Sequence, residues 1–241
     1  MRRALAILAI GFALIPSFAS AAFDTSSSAD SSGAVASLTD SHTIGGTCTN
    51  TLVITAVNIN SNSNLISSVN DNGVGMTQLM MNLAGFQGSN YIYYMLGAST
   101  GSNSIVASVV SNTGISIRTS SFCGVAQTGF PDAHTSATSS SAASTFSTSI
   151  TTITNNAWVY AFATSDHGAL SAGTNLTLRT GGSATNIAEF DTNGAITPAG
   201  ATTLGFSSTS GSSDWNILAV SFAPAAAATP AAAAYFMAFW W

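Results

Sequence analysis

Apolar residues in this chain come in short blocks separated by clusters of Gly, Asn, Ser and Thr, with no convincing helical stripe beyond the N-terminus. Blocks of that kind read as β-strands bounded by turns. The stretch Ile105–His134 sets the pattern: a strand, a turn, a second strand rich in β-branched residues, then an exit bounded by glycine. The rest of the chain is expected to pair with it or pack over it. Leu52–Val57 is almost continuously apolar, as a strand covered on both faces would be. Tyr91–Leu96 is an aromatic strand, Trp158–Ala163 is the buried part of a strand or strand pair spanning Ile150–Thr164, and Trp215–Phe222 closes the domain.

Weaker signals fill the gaps. Phe23–Asp40 is rich in Ser and Ala, with a faint strand around Val35–Leu38. Ser41–Ile44 and Asn50–Asn60 read as a hairpin around Gly45-Gly46, and Leu65–Val69 as a strand running into the turn Asn70-Asp71-Asn72-Gly73. Met76–Ala84 reads as a strand because its neighbours carry hairpin chemistry. Thr135–Thr145, all small or hydroxylated, reads as a long exposed crossing. Turn signals recur about every 8–12 residues, the spacing of a sandwich or jelly roll. No segment repeats at a fixed period, which sets aside an ice-binding array built on the alternating hydroxyls of Ser147–Thr154. The expected fold is all-β: a single antiparallel, jelly-roll-like β-sandwich over 23–224.

Charge narrows the function. Charged residues are only 5% of the chain, against 46% hydrophobic, and there is no lysine. Without Arg2 and Arg3 at the N-terminus, Arg118 and Arg179 face nine acids, 2 − 9 = −7. Nucleic-acid binding needs clustered Lys and Arg against phosphate, and that class is excluded. Surface polarity comes from Ser, Thr and Asn instead, which leaves edge strands without repelling charges and open to self-association.

The ends carry their own signals. Residues 1–22 place Met1-Arg2-Arg3 before an apolar run, Ala4–Ile15, and a small-residue exit, the layout of a secretory signal peptide. Residues 225–241 form an Ala/Pro linker and an abrupt aromatic tail resembling the start of a truncated anchor or sorting signal. The apolar runs at both ends fall short of the ~20 residues a membrane span requires, so membrane contact is expected only through the signal or an incomplete tail. Export makes a Cys48–Cys123 disulfide the natural reading, with two buried thiols as the alternative.

Several phrases carry a family likeness: Ser41-His42-Thr43-Ile44; Leu52-Val53-Ile54; Ile66-Ser67-Ser68-Val69 leading to Asn72-Gly73-Val74; and Tyr93-Tyr94-Met95-Leu96. Phe122-Cys123-Gly124-Val125-Ala126-Gln127-Thr128 with Pro131 behind it, and Trp215 through Pro224, complete the set. In this order they resemble a group of secreted bacterial and phage-associated β-sandwich domains, jelly-roll and concanavalin-like, of largely unknown function. The resemblance covers roughly residues 24–224. It implies a sandwich fold in surface or structural proteins and supplies no catalytic residues. The cysteines and the missing lysines depart from the pattern.

Candidate chemistry is sparse. Glu189 and Asp191 would share one strand face, where paired carboxylates can hydrolyse glycosides, although an exposed acidic pair is the plainer reading. Ser165-Asp166-His167 names the residue types of a triad, but triads assemble in space and a turn explains the run. His42 and His134 are expected at the surface or in loop packing. Asp71, flanked by Asn70 and Asn72, offers oxygen to calcium, while an Asx turn explains the same residues. Tyr91 and Tyr93 share a face that would suit stacking on sugars, with core packing as the alternative. Trp158 and Trp215 are read as core. The expected function is a non-catalytic, secreted or cell-surface structural or adhesion domain without a required cofactor, acting by self-association or on a surface polysaccharide. A carbohydrate-binding module on Tyr91 and Tyr93 is the alternative, and a polysaccharide-active enzyme the third reading.

Overall fold

In the computed structural model, which describes residues 20–84, 88–166, 168–181, 186–209 and 213–227, the chain is all-β. Its first half holds β1 (Ala22–Asp30), β2 (Val35–Ile44), β3 (Leu52–Ile59), β4 (Ile66–Asp71), β5 (Val74–Gly75), β6 (Thr77–Ala84), β7 (Gly88–Leu96), β8 (Gly101–Thr113) and β9 (Ile115–Cys123). The second half holds β10 (Ala133–Ala143), β11 (Thr145–Thr151), β12 (Trp158–Ser165), β13 (Leu170–Ala172), β14 (Thr177–Gly181), β15 (Ile187–Asp191), β16 (Ala201–Ser208) and β17 (Ser213–Phe222). Each half forms a large sheet, β1-β9-β3-β7-β6 or β10-β17-β12-β15-β14, and a smaller one, β2-β8-β4-β5 or β11-β16-β13. Among the described residues no helix is long and apolar enough to cross a membrane.

The four sheets stack, with the two large ones inside, and three apolar layers glue them. Val53, Val57, Tyr91, Ile105 and Ile117 fill the first layer, between the first small and large sheets. Leu52, Ile54, Phe122, Trp158, Leu218 and Phe222 fill the middle one, between the large sheets. Val159, Ala161, Phe190, Leu204, Phe206 and Ile217 fill the third. β-Sandwich packing is present, but the layers number four rather than the two of the expected sandwich. This explains the continuous apolar run of Leu52–Val57: β3 lies mid-sheet in an inner layer, and every residue of it is buried.

The two halves are versions of one unit. The large sheets share the strand order first–last–third–next-to-edge–edge, and β11-β16-β13 follows β2-β8-β4. The registers agree, since Leu52 pairs with Phe122 as Trp158 pairs with Phe222. A left-handed asparagine precedes each third strand, Asn50 at φ 49° and Asn156 at φ 63°. Asp24 accepts from Ser121 Oγ and the Gly45 N–H, just as Asp132 accepts from Ser221 Oγ and the Ile153 N–H. The repeat is written in such joints and not in a fixed sequence period, so the linear pattern hid it.

Three local expectations change. Ser41–Ile44 and Asn50–Asn60 do not form a hairpin: β2 and β3 lie in different sheets, and Gly45–Thr51 carries the chain between layers. Thr135–Thr145 is not a crossing but mostly β10, an edge strand paired with β17. Its backbone pairs like any other, and at an edge small hydroxylated side chains suffice. The faint signal in Phe23–Asp40 resolves into β1 and β2. Met76–Ala84 does form a strand, β6, and Ile150–Thr164 divides between β11 and β12.

Both ends of the described fold meet the end of β9. Ala21 is buried in the middle layer and Ala22 pairs with Cys123, while Pro224 bridges Val125. Gly124 turns here at φ 68°, and a Cβ on it would lie 2.6 Å from the Ser20 carbonyl oxygen. Residues 1–19 of the expected signal and 228–241 of the expected tail lie outside the described residues. Cys48 and Cys123 form a disulfide that closes a separation of 75 positions, tying the β2–β3 connection to the last strand of the first half. Cys48→Ala with Cys123→Ala is expected to lose roughly 2–4 kcal/mol, because the unfolded chain regains loop freedom. Urea midpoints with and without reductant measure this, and an unchanged midpoint refutes it.

Candidate functional site

A cleft with chemistry in it lies at one end of the first half. β4 turns into β5 through Asn72 and Gly73, at φ 47° and 82°, the paired left-handed conformation of a tight hairpin turn. This turn, the start of β6 and the β7–β8 connection frame a cleft of about 510 Å³, lined by Asp71, Thr77, Tyr94, Met95, Ala98 and Asn103 among others. Asn103 holds the wall together. Its Nδ2 donates to the Ser99 and Gly101 carbonyls, and its Oδ1 accepts from Asn72 Nδ2. Asn72 Oδ1 in turn accepts from the Ser104 N–H.

Asp71 is the exception to this saturation. It is 3% exposed, its Oδ1 has no hydrogen-bond partner, and burial pushes its carboxyl above the usual aspartate range. Among the described residues it is also the only charged one lining the cleft. For calcium this is poor chemistry. A hard dication wants six to eight oxygens and compensating charge, whereas the Ala98, Ser99 and Gly101 carbonyls already accept from Thr51, Asn103 and Asn103.

The tyrosines expected to meet a sugar do not face solvent. Tyr91 is fully buried and Tyr93 nearly so, side by side in the first apolar layer. Their hydroxyls donate to Asn64 Oδ1 at 3.2 Å and Gln78 Oε1 at 2.9 Å. Burial, with Tyr91 adding to it, raises the Tyr93 phenol to about 12. Strand alternation sends Tyr94 to the other face, where its ring lies 4.4 Å from that of Phe130, and the residue is among those that line the cleft. The sequence placed the aromatics correctly in a strand, but an inner strand hides both its faces.

Glu189 and Asp191 share a face, and it is a buried one, not the exposed face expected. Glu189 Oε1 accepts from Ser120 at 2.9 Å and Oε2 from Tyr160 at 3.0 Å, across the middle layer. Desolvation raises its pKa to about 8, against the lowering influence of those hydroxyls and Arg118. Asp191 is held by Arg179 through two 2.7 Å bonds, and the guanidinium carbon of Arg179 sits 3.9 Å above the Phe23 ring. Arg118, itself buried, forks onto Asp30 at 2.9 and 3.1 Å. Both arginines of the described fold are thus spent on carboxylates of the same fold, the exposed Asp30 and the buried Asp191, and the acidic pair Glu189 and Asp191 seals an interface without opening to solvent.

A second polar cluster lies where β1 and β2 close the edge of the first half. His42 is buried rather than at the surface, its Nδ1 2.9 Å from Ser27 Oγ and its Nε2 3.4 Å from Thr25 Oγ1. Ser27 donates at 2.7 Å to Asp40, so the hydroxyl proton goes to the carboxylate and not to the imidazole. The acid–imidazole–hydroxyl order of a nucleophilic triad is not made. Burial lowers the His42 pKa, opposed by Asp40 and Asp24. Sequence reasoning missed this cluster because Thr25 and Ser27 sit in a segment that looked barely structured.

The remaining candidates are structural. His134 is exposed on β10. Asp166 caps a turn by accepting from the Asp214 N–H at 2.9 Å, and His167 lies outside the described residues. Trp158 is core, and Trp215 is half-buried with its ring stacked 5.2 Å from Phe146. Asp24, Cys48 and Cys123 come close together, but the sulfurs are joined to each other and are not thiolate ligands. Compared with known proteins, the chain matches no family model, no curated protein and no solved structure.

Proposed function

We propose that the chain is a non-catalytic, exported surface or extracellular module that acts by adhesion or assembly, each half being a jelly-roll-like unit. The observation that carries this reading is the chemistry of the two outer faces. On β2, the outward residues Ser37, Thr39, Ser41 and Thr43 are exposed, while Asp40, His42 and Ile44 point inward. Across the strand, Ser41 pairs with Ser104 and Thr43 with Ser102. The far face of the stack repeats this: Thr145, Ser147, Ser149 and Thr151 are exposed on β11, with Thr145 opposite Ser207 and Ser149 opposite Thr203.

Such faces are broad, uncharged and rich in donors and acceptors, and β2 and β11 are edge strands with open backbone groups. Contacts made there use hydrogen bonds instead of ion pairs. The burial of Glu189 and Asp191 supports a non-catalytic reading over a glycosidase, since neither carboxylate faces a cleft.

Sedimentation of the purified chain tests this. Its average mass is expected to rise with concentration and to hold in high salt, because salt screens charges that are not involved. The double variant Thr39→Lys, Ser41→Lys is expected to abolish association while changing stability by no more than about 0.5 kcal/mol per site. A monomer at every concentration, or dissociation by salt, refutes the reading.

A further inference from the structure

We infer that the cleft beside Asp71 is a binding site for a neutral sugar, with the carboxyl accepting from ring hydroxyls and the apolar wall meeting a C–H face of the pyranose. This goes beyond association through the outer faces and uses none of the same residues.

The argument starts from an unmet acceptor. A buried carboxyl oxygen without a donor is costly, and in a native interior such groups nearly always have partners. Around Asp71 the side-chain amides are committed elsewhere: Asn103 Nδ2 to two carbonyls and Asn72 Nδ2 to Asn103. The arginines of the described fold are bound to Asp30 and Asp191. A hydroxyl entering the cleft would supply the missing donor.

The lining then selects the ligand. It holds no cationic residue, so an anion would meet only a carboxyl and apolar surface. Asp71 stands alone as an acid, too little for a metal dication. Tyr94, Met95, Leu96, Ala98 and Val74 make the wall largely apolar. A molecule with adjacent hydroxyls on one side and C–H groups on the other satisfies both surfaces at once. At about 510 Å³ the cleft is within the range of small-molecule sites and takes one or two sugar rings. The aromatic residue lining the cleft is Tyr94, not Tyr91 or Tyr93.

The test titrates the full chain with D-glucose, D-galactose, D-mannose and N-acetyl-D-glucosamine up to about 50 mM, followed by calorimetry or chemical-shift changes, a range suited to weak sites. At least one sugar is expected to bind. Asp71→Asn keeps the side-chain shape and is expected to weaken that binding roughly 10- to 100-fold, the worth of hydrogen bonds to a charged acceptor. Val74→Trp, placed on the exposed lip, is expected to block the cleft with the fold intact. Binding that survives both variants overturns the inference, as does no binding by any of the four sugars. Calcium chloride or methylammonium bound in an Asp71-dependent way, with no sugar bound, also overturns it, in favour of a cation site.

Discussion

Phe122→Ala is expected to destabilise the protein by about 3–5 kcal/mol, more than any other single truncation in the middle layer. Phe122 is fully buried near the end of β9 and touches both halves. Its ring lies 4.8 Å from Phe222, 6.0 Å from Trp158 and 5.9 Å from Phe23. Removing it leaves a cavity between two hydrogen-bonded sheets, and neither sheet can sag to fill it without breaking register. Trp158 and Phe222 belong to the second half, so the loss is shared across the layer. Equilibrium unfolding in urea should therefore show one transition displaced as a whole. A loss below about 1 kcal/mol would show that the layer is loosely packed, and a shift confined to half of the signal would show that the halves unfold independently.

The second large effect depends on pH. Glu189 has its pKa raised from 4.5 to about 8 by burial in the middle layer. Between those values the folded protein keeps a proton that the unfolded chain has released. Stability therefore falls as pH rises through this window and levels off above it, once both states are ionised. A displacement of that size corresponds to roughly 4–5 kcal/mol across the full window. Glu189→Gln mimics the protonated acid: its amide can donate to the Tyr160 oxygen while its carbonyl accepts from Ser120. The variant is expected to match the parent at pH 4.5, to exceed it at pH 8, and to lack the parent's decline between them. His42 works in the opposite sense, because its lowered pKa removes stability as pH falls below 6.5, and the Glu189 variant leaves that limb in place. Unfolding midpoints across the pH range decide the matter, and parallel curves for parent and variant would refute the assignment.

Much of this was legible in the linear pattern and some was hidden. Leu52–Val57 announced a strand covered on both faces, and β3 is one. Asn72-Gly73 announced a tight turn, and both residues adopt left-handed backbone. β1 and β10 were illegible because edge strands are selected by backbone pairing, which Ser, Thr and Ala permit without leaving an apolar trace. The cleft was half legible: Asp71 stood out among asparagines, but the unmet Oδ1 depends on where the Asn103 and Asn72 amides and the arginines point.

By itself, the sequence determined the strand-rich class, the absence of a cationic surface, and the alternation that puts hydroxyls on one side of β2 and β11 and apolar or polar core on the other. These follow from local rules, since side-chain period and residue type act over a few positions. Only the tertiary structure decided that four sheets stack, that Glu189 is sealed against Tyr160 and Ser120, that Tyr91 and Tyr93 are interior, and that Asp71 Oδ1 lacks a partner. Each of those outcomes depends on which face of one sheet meets another, and that choice is made by residues far apart in the chain.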